Sequence, residues 1–287
     1  GIFAFAILDN INDELIMARD HFGVKPLYLY HNLGKLAFGS EIKSFEKIDF
    51  EDELDVEALV NYNTYMWSPG NKTCFKSIKK FPPGHYKVYD TSNSLIVEKE
   101  SVSFYKVNYS VDKPTNDESY WVDKVDEYLT SSVSRQMLSD VPVGFFLSGG
   151  LDSSLLVAIA KKINPSKKIE CYTIDTGVSK DGFARDLDYA KIVAKELNVQ
   201  LNIIKAKPDL SLLNKVVWHM DEPQADYAPY NVLNICEAAV NNGSKVLISG
   251  TGGDDIFSGY RRHKAIYLNK YLDHIPQVLR GVISDLI

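Results

Sequence analysis

The sequence of 287 residues contains little cysteine and has no long hydrophobic run. Its three cysteines, Cys74, Cys171 and Cys236, stand far apart and form no CxxC pair. Such spacing argues against a disulfide framework or a zinc site and fits a reducing cytoplasm. No stretch approaches the roughly 18 apolar residues of a membrane helix, and no basic segment precedes an apolar run near the N-terminus. We therefore expect a cytoplasmic protein with no membrane partner.

An excess of positive charge is also lacking, because the formal net charge is -6. Nucleic-acid-binding domains usually carry a basic surface, so a nucleic-acid partner is not expected. Hydrophobic residues make up 45% of the chain and charged residues 24%, which is typical of a globular protein with a sizeable core. Residues 1–8 already have the pattern of a buried strand and the sequence stops within a predicted helix, which suggests a piece of a longer protein.

The first part of the chain, residues 1–110, has the pattern of a β-rich domain. Short strand signals alternate with turn residues, which predicts an antiparallel meander. The strands of this meander are predicted at residues 3–8, 14–19, 27–30 and 35–39. Residues 111–117 contain a proline and polar side chains, and they are interpreted as a linker.

Residues 111–287 form the second predicted domain, in which strands and helices alternate. Strands are predicted at residues 141–147, 169–174, 199–204 and 245–249. Helices are predicted at residues 118–138, 151–162, 188–197, 210–220 and 230–240. Alternation of this kind indicates parallel strand pairing and a doubly wound α/β sheet.

A glycine-containing loop follows the first strand of this second domain and reads Ser148-Gly149-Gly150-Leu151-Asp152-Ser153-Ser154. Paired glycines allow close approach of a phosphate, and the free amides at a helix start form an anion site. The three serines add hydroxyl donors, whereas Asp152 would repel phosphate and suits Mg²⁺ instead. Because the Walker pattern GxxxxGK[ST] is absent, we expect ATP to be cleaved between its α and β phosphates.

A second glycine-containing segment follows the strand at 245–249, and it runs from Ser249 to Tyr260. It holds two adjacent carboxylates, Asp254 and Asp255, which could bind a second Mg²⁺ or position a cationic group of a substrate. If its strand neighbours the first one in the sheet, both loops lie at the same sheet edge, where open α/β sheets bind their ligands.

These motifs resemble those of one enzyme family. SGGLDSS is similar to the pyrophosphate loop of the N-type ATP pyrophosphatases. The segment from Ser249 to Tyr260, Asp221-Glu222-Pro223 and the stretch 141–144 resemble the glutamine-hydrolysing asparagine synthetases. In the first domain, the stretches 18–28, 38–43 and 82–85 resemble the later part of a class II glutamine amidotransferase domain, which has an N-terminal-nucleophile fold.

The resemblance implies a reaction, its partners and roles for individual residues. A carboxylate substrate would react with ATP to form an acyl-adenylate and pyrophosphate, and ammonia from glutamine would then displace AMP. The implied second domain has the adenine-nucleotide α-hydrolase type of sheet, and a homodimer is compatible with it. The implied phosphate and magnesium ligands are Ser148, Gly150, Asp152 and Ser153, together with Tyr260 near the phosphates. The implied adenosine neighbours are Phe146, Ile174 and Gly250, while Asp254 would lie near magnesium or a substrate amine.

The sequence departs from the family pattern at three places. None of the three cysteines stands where the glutaminase nucleophile belongs, so this chain by itself is not expected to hydrolyse glutamine. The later family segment with a catalytic lysine is not part of the sequence. Thr251 occupies a position that is usually acidic in the family, and a hydroxyl neither acts as a base near neutral pH nor pairs with an ammonium group.

These departures leave the acceptor and two other functions open. Free aspartate is in doubt, whereas a sugar acid or another small carboxylate remains an option. One alternative function is a β-lactam-synthetase-like ligase in which an internal amine replaces ammonia. The other is a catalytically silent nucleotide-binding protein.

Overall fold

The computed structural model describes two compact units. One unit comprises residues 1–114 and 209–230, and the other comprises residues 115–208 and 231–287. They are called unit 1 and unit 2 below, and each is described by itself. The described residues are 1–48, 50, 53–108, 117–177, 186–206, 210–224, 226–260, 262–264 and 266–267.

The described residues of unit 1 form seven strands in two antiparallel sheets. The strands are β1 (Ala4–Asp9), β2 (Glu14–Arg19), β3 (Tyr28–Asn32), β4 (Lys35–Gly39), β5 (Ile78–Lys80), β6 (His85–Asp90) and β7 (Val97–Ser103). One sheet has the order β1-β2-β6-β7 and the other has the order β4-β3-β5. The unit also contains two 3₁₀-helices (Ile42–Lys47 and Leu210–Leu212) and two α-helices, α1 (Val56–Tyr65) and α5 (Leu213–Met220), among its described residues.

The expectation of one continuous meander is therefore wrong. The first four strands pair as two hairpins, β1 with β2 and β3 with β4. On its other side, β2 pairs with β6, and β3 pairs with β5. Buried side chains of both sheets share one cluster, which includes Met17 of β2, Leu29 of β3 and Tyr89 of β6. Burial of this shared apolar surface favours two separate sheets, and alternation within a single strand does not reveal its partner.

Unit 2 is built on a four-stranded parallel sheet. Its strands are β8 (Val143–Phe146), β9 (Glu170–Asp175), β10 (Gln200–Lys205) and β11 (Val246–Ile248), in the order β10-β9-β8-β11. Its helices are α2 (Glu118–Gln136), α3 (Leu151–Ile163), α4 (Asp186–Glu196) and the short α7 (Gly253–Ile256). Helix α6 (Ala228–Asn241) begins in unit 1 and continues into unit 2.

Helices cover both faces of this sheet, which confirms the predicted doubly wound α/β class. On one face, Phe145 and Cys171 pack in a cluster with buried residues of α2, α3 and α4. On the other face, Tyr172 packs with Ile235 and Ala239 of α6. Successive residues of each strand thus enter opposite cores, which explains the nearly continuous apolar runs in the sequence.

Most boundaries differ from the sequence prediction by one or two residues. The predicted helix at residues 210–220 begins instead as a 3₁₀ turn, Leu210–Leu212, and becomes α-helical at Leu213. The predicted linker at residues 111–117 lies outside the described residues except for Asp117, which caps α2 by accepting a hydrogen bond from the Ser119 amide. Within the described part of the chain, no helix is long and apolar enough to cross a membrane.

Candidate functional site

The loop between β8 and α3 presents the first turn of a helix at the carboxyl end of the sheet. Gly150 is the N-cap residue, and the first helical hydrogen bond runs from the Ser154 amide to the Gly150 carbonyl at 3.1 Å. The hydroxyls of Ser153 and Ser154 donate to the same carbonyl, at 3.2 and 2.7 Å. Ser148 joins this group, with its Oγ 3.0 Å from the Ser153 Oγ. The amides that precede the first helical bond have no partner within the helix, so the loop can bind an anion.

The two glycines of this loop have different structural surroundings. Gly149 has a φ of +86°, and a Cβ added to it would lie 2.5 Å from the carbonyl oxygen of Asp186 and 2.6 Å from the amide nitrogen of Ala190. Helix α4 therefore packs directly on Gly149. A Cβ on Gly150 would meet only the Ser148 Oγ, at 3.4 Å. Both glycines were predicted to make room for phosphate. The space beside Gly149 is already filled by α4, so this prediction is kept for Gly150 alone.

The second loop connects β11 to α7. Gly252 caps α7 with a φ of +95°, and the Gly253 amide donates to the Gly250 carbonyl at 3.1 Å. The Ser249 Oγ accepts from the Thr251 amide at 3.0 Å and lies 2.6 Å from the Thr251 Oγ1. Both hydroxyls belong to one compact turn, in which the Thr251 side chain is exposed.

The two loops meet at Asp152. Strands β8 and β11 are parallel neighbours, so their carboxyl ends open at the same edge of the sheet. A Cβ on Gly250 would lie 2.9 Å from the Ser153 amide nitrogen and 3.0 Å from the Cβ of Asp152. A Cβ on Gly253 would come within 2.3 Å of the Asp152 Oδ2. Only glycine leaves the Asp152 carboxylate undisturbed at position 253, and Asp254 is the next residue of α7.

The predicted neighbours of adenosine lie on adjacent strands of the same sheet. Phe146 is the last residue of β8 and pairs with Tyr172 of β9. Ile174 lies two residues further along β9 and therefore on the same face of the sheet. Both side chains are half-buried and pack against the cluster formed by Tyr172, Ile235 and Ala239. They thus contribute to the core of unit 2 at the sheet edge from which the loops emerge.

The remaining predicted residues belong to α7 and the turn after it. Asp254 is half-buried, and its backbone carbonyl accepts from the Gly259 amide at 2.9 Å. Asp255 is exposed and pairs with Arg262, whose Nη2 lies 3.0 Å from the Asp255 Oδ1. The Arg262 guanidinium also stacks on the Tyr260 ring at 4.0 Å. The structure therefore joins Asp255 and Tyr260 through one arginine.

The described residues include no group of three or more histidine, cysteine, aspartate or glutamate side chains that could hold a metal. A protein-only metal cage is thus not found in this part of the chain. Mg²⁺ needs fewer protein ligands than such a cage offers, since it keeps several waters and usually takes one or two carboxylates together with phosphate oxygens. The two loops carry two carboxylates of the predicted magnesium site, those of Asp152 and Asp254.

A cavity of about 230 Å³ lies in unit 2 beside Asp152 and the second loop. It is bounded by α2, by the first turns of α3 and by residues 248–257. Its lining is mostly apolar and includes Leu129, Val133, Leu155, Leu156, Ile248, Ile256 and Phe257. This cavity adds an apolar wall to the polar surface of the two loops.

Two residues of the motif stretches have surroundings that the sequence did not reveal. Asp221 and Glu222 lie in unit 1, where they contact lysine and tyrosine side chains far away in the sequence. The two consecutive acids were visible as a signal, but their partners were not. His219, in the last turn of α5, is exposed.

Two family models and several curated proteins match this chain. The family model described as "Asparagine synthase" matches residues 124–286, and the model described as "Glutamine amidotransferase domain" matches residues 1–100. "Asparagine synthetase [glutamine-hydrolyzing] 1" of Bacillus subtilis is 33% identical over 99% of this chain and 43% of its own length. "Amidase chyE" of Penicillium rubens is 30% identical over 94% of this chain and 41% of its own length.

Among solved structures, an NH3-dependent NAD synthetase from Campylobacter jejuni has a TM-score of 0.33 at 16% identity, covering 48% of this chain and 60% of that chain. A likeness of this size carries no argument about function. The chain spans less than half the length of the two curated relatives named above. The asparagine synthase model nevertheless covers more than half of the chain, and on that match the chain belongs to the asparagine synthase family.

Proposed function

We propose that the whole protein amidates a carboxylate in an ATP-dependent reaction that proceeds through an acyl-adenylate. The observation that carries this proposal is the meeting of two glycine-containing loops on Asp152, at the carboxyl ends of the parallel strands β8 and β11. One loop would offer helix amides and hydroxyls to phosphate groups. The other packs Gly250 and Gly253 against Asp152, and Asp254 follows directly in the chain.

ATP would bind with its outer phosphates on the loop from Ser148 to Ser154. The amides at the start of α3 and the Ser148 and Ser153 hydroxyls would donate to phosphate oxygens, in addition to the Gly150 backbone. Phe146, Ile174 and Gly250 would flank the adenosine, as expected for side chains and backbone at the ends of adjacent strands. Tyr260 would approach the phosphates from the turn after α7.

Asp152 and Asp254 would hold Mg²⁺, which supplies positive charge between the carboxylates and the phosphates. Without a cation, the Asp152 carboxylate would repel the phosphate groups that the neighbouring amides attract. Asp255 has a different role in this proposal, since Arg262 already neutralises it. It would position Arg262 beside the Tyr260 ring.

The first chemical step forms a bond between a carboxylate oxygen of the acceptor and the α-phosphorus of ATP, while the bond to the bridging oxygen breaks and pyrophosphate leaves. In the second step, ammonia attacks the acyl carbon, AMP leaves with the electrons of the carbon–oxygen bond, and the nitrogen loses one proton to water. The ammonia would come from glutamine, because residues 1–100 match a glutamine amidotransferase domain. The relatives named above support ammonia rather than the internal amine of the β-lactam-synthetase alternative.

The acceptor would differ from free aspartate. Thr251 is hydrogen bonded to Ser249 and carries no charge that could pair with an ammonium group. Its neighbourhood also includes the largely apolar cavity beside Asp152. Recognition at this position would therefore use hydrogen bonds and apolar contact, as for a carboxylic acid without an amine close to its reacting group.

The state of the cysteines supports a reducing compartment such as the cytoplasm. All three thiols are free, and Cys74 and Cys171 are buried. Burial, with a smaller contribution from Glu222, raises the pKa of Cys74 to about 11, and burial raises the pKa of Cys171 to about 12. Such thiols remain protonated near neutral pH and behave as small apolar core residues.

The reaction is tested by incubating the full-length protein with Mg·ATP, glutamine and each member of a panel of ¹⁸O-labelled carboxylic acids. We expect AMP and pyrophosphate in equal amounts, with one ¹⁸O transferred from the acid to AMP. Asp152→Ala should weaken Mg·ATP binding by at least tenfold, whereas Asp126→Asn, which removes an exposed ion pair of the same unit, should leave it unchanged. Formation of ADP and phosphate, or equal affinities for the two variants, would contradict the proposal.

A further inference from the structure

A buried cluster of charged and polar side chains holds the end of α5 in unit 1. Helix α5 has no buried residue of its own. In contrast, the two carboxylates that follow it are nearly inaccessible, with side-chain exposures of 8% for Asp221 and 11% for Glu222. The segment is therefore attached to unit 1 by charge and hydrogen bonds more than by apolar burial.

Glu222 receives three donors from distant parts of the chain. The Tyr28 hydroxyl donates to its Oε1 at 2.9 Å, and the Tyr62 hydroxyl donates to its Oε2 at 2.5 Å. The ammonium group of Lys80 lies 3.0 Å from the same Oε2. Burial, followed by the Glu222 carboxylate, raises the pKa of both phenols above the usual value, so that they remain donors at physiological pH.

Asp221 is bound in a similar manner at the C-terminal end of α5. Its Oδ1 lies 2.8 Å from the Lys43 ammonium group, and its Oδ2 accepts from the Ile42 amide at 2.5 Å. Lys43 also lies over the ring of Trp218, 5.1 Å from its centroid. Asp221 has a φ of +61°, a conformation that a residue with a side chain keeps only when its surroundings hold it there.

The chain leads directly from this cluster to α6. Helix α6 starts at Ala228, six residues after Glu222, and its first amide donates to the Asp226 Oδ1 at 3.0 Å. In unit 2, Ile235 and Ala239 of this helix pack with Tyr172, and Phe146 and Ile174 pack against the same cluster. The helix that begins just after the two buried carboxylates thus supports the strands that would flank adenosine.

We propose that Asp221 and Glu222 are positioning residues that form a polar latch. By fixing the segment before α6 in unit 1, the latch sets the order of α6 and, through it, the affinity of unit 2 for ATP. The last part of this statement rests on the nucleotide site proposed above. Removing one carboxylate takes the nearest acidic partner from a half-buried lysine. Lys80 then keeps the Ser68 carbonyl at 3.1 Å. Lys43 keeps Glu41 at 3.1 Å. Loss of a shielded charge partner is unfavourable, so the latch responds to a change of a single charge.

Glu222→Gln in the full-length protein tests the latch, because it removes the charge and keeps the shape. Hydrogen–deuterium exchange of peptides from α5 and from α6 reports the order of the two helices without any nucleotide. We expect exchange in the first two turns of α6 to become at least threefold faster, the KM for ATP to rise at least fivefold, and kcat to stay within twofold. Glu14→Gln is the matched control. It removes the charge of a glutamate on β2 of the same unit that pairs with Lys99, and it should change none of these values.

Asp221→Asn provides a second variant if Glu222→Gln does not fold. Acrylamide quenching of Trp218 fluorescence, assigned with Trp218→Phe, then reports release of α5 from Lys43. Faster exchange in α5 alone, with α6 and the KM for ATP unchanged, would overturn the latch. If the wild-type protein failed to bind Mg·ATP, the nucleotide proposal would fail. The latch would still be tested by hydrogen exchange in α6: faster exchange in the variants would support it, and unchanged exchange would overturn it.

Discussion

Asp152 occupies the point where the two loops of unit 2 touch. Its side chain starts from the first turn of α3, and its carboxylate lies against Gly253 at the start of α7. A carboxylate at this position would repel a phosphate bound to the helix start unless a cation lay between them, which is why our proposal places Mg²⁺ beside Asp152. In this proposal, one side chain connects phosphate binding, magnesium binding and the second loop.

The contact between Gly253 and Asp152 leads to the first prediction. Gly253→Ala would place a methyl group within 2.3 Å of the Asp152 Oδ2. The carboxylate can rotate away, so we expect the fold to persist while the affinity for Mg·ATP falls about tenfold, or about 1.4 kcal/mol. Isothermal titration calorimetry with Mg·ATP measures the change.

A double-mutant cycle separates this effect from general damage to α7. If the methyl group acts by displacing the Asp152 carboxylate, Gly253→Ala should add little to the loss already caused by Asp152→Ala. Additive losses in the two backgrounds would show that Gly253 matters for some other reason. Circular dichroism of each variant verifies that the comparison is made between folded proteins.

Among structural elements, the loop between β8 and α3 has two glycines with opposite requirements. Gly149 needs a positive φ and packs on the backbone of α4, whereas Gly150 has a φ of -68° and faces open space except for Ser148. A side chain at position 149 is therefore excluded by the fold. At position 150 a side chain would clash only with a ligand that approaches the backbone closely.

Alanine substitutions should separate these two requirements. Gly149→Ala is expected to cost on the order of 2–3 kcal/mol in unfolding free energy because of its φ and its contacts with α4. At about 2–4 °C per kcal/mol, Tm should fall by roughly 4–12 °C. Gly150→Ala should keep the wild-type Tm within about 2 °C and weaken Mg·ATP binding at least tenfold. Differential scanning calorimetry and titration calorimetry measure both values, and a reversed pattern would contradict the assignment.

Helices and strands were predictable from the sequence where the hydrophobic pattern and the glycine or proline residues at its ends indicate the same boundaries. The run from β8 through the loop to α3 was predicted to within two residues because an apolar strand, two glycines and an amphipathic helix follow each other directly. The two sheets of unit 1 were not predicted, since pairing depends on which apolar faces share a core. The short helix α7 was also missed, because its four residues resemble a glycine-containing loop.

For the whole molecule, the chain order differs from the grouping of residues in space. Residues 209–230 are grouped with residues 1–114, although they lie between β10 and the main part of α6 in the sequence. Tyr28 precedes its partner Glu222 by 194 residues, and Tyr62 precedes it by 160 residues. No local pattern reveals such partners, so the buried cluster in unit 1 could not be predicted from periodicity or spacing.

Which acid the complete protein amidates depends, in our proposal, on Thr251. A carboxylate at this position could pair with the ammonium group of an amino acid, and the threonine hydroxyl, bonded to Ser249, cannot do so. We expect Thr251→Glu in the full-length protein to raise kcat/KM for aspartate at least tenfold, measured as pyrophosphate release. Thr251→Gln has a similar size without the charge and should leave kcat/KM for aspartate near the wild-type value. An equal gain in both variants would mean that size rather than charge selects the acceptor, and efficient use of aspartate by the wild-type protein would refute the role of Thr251 altogether.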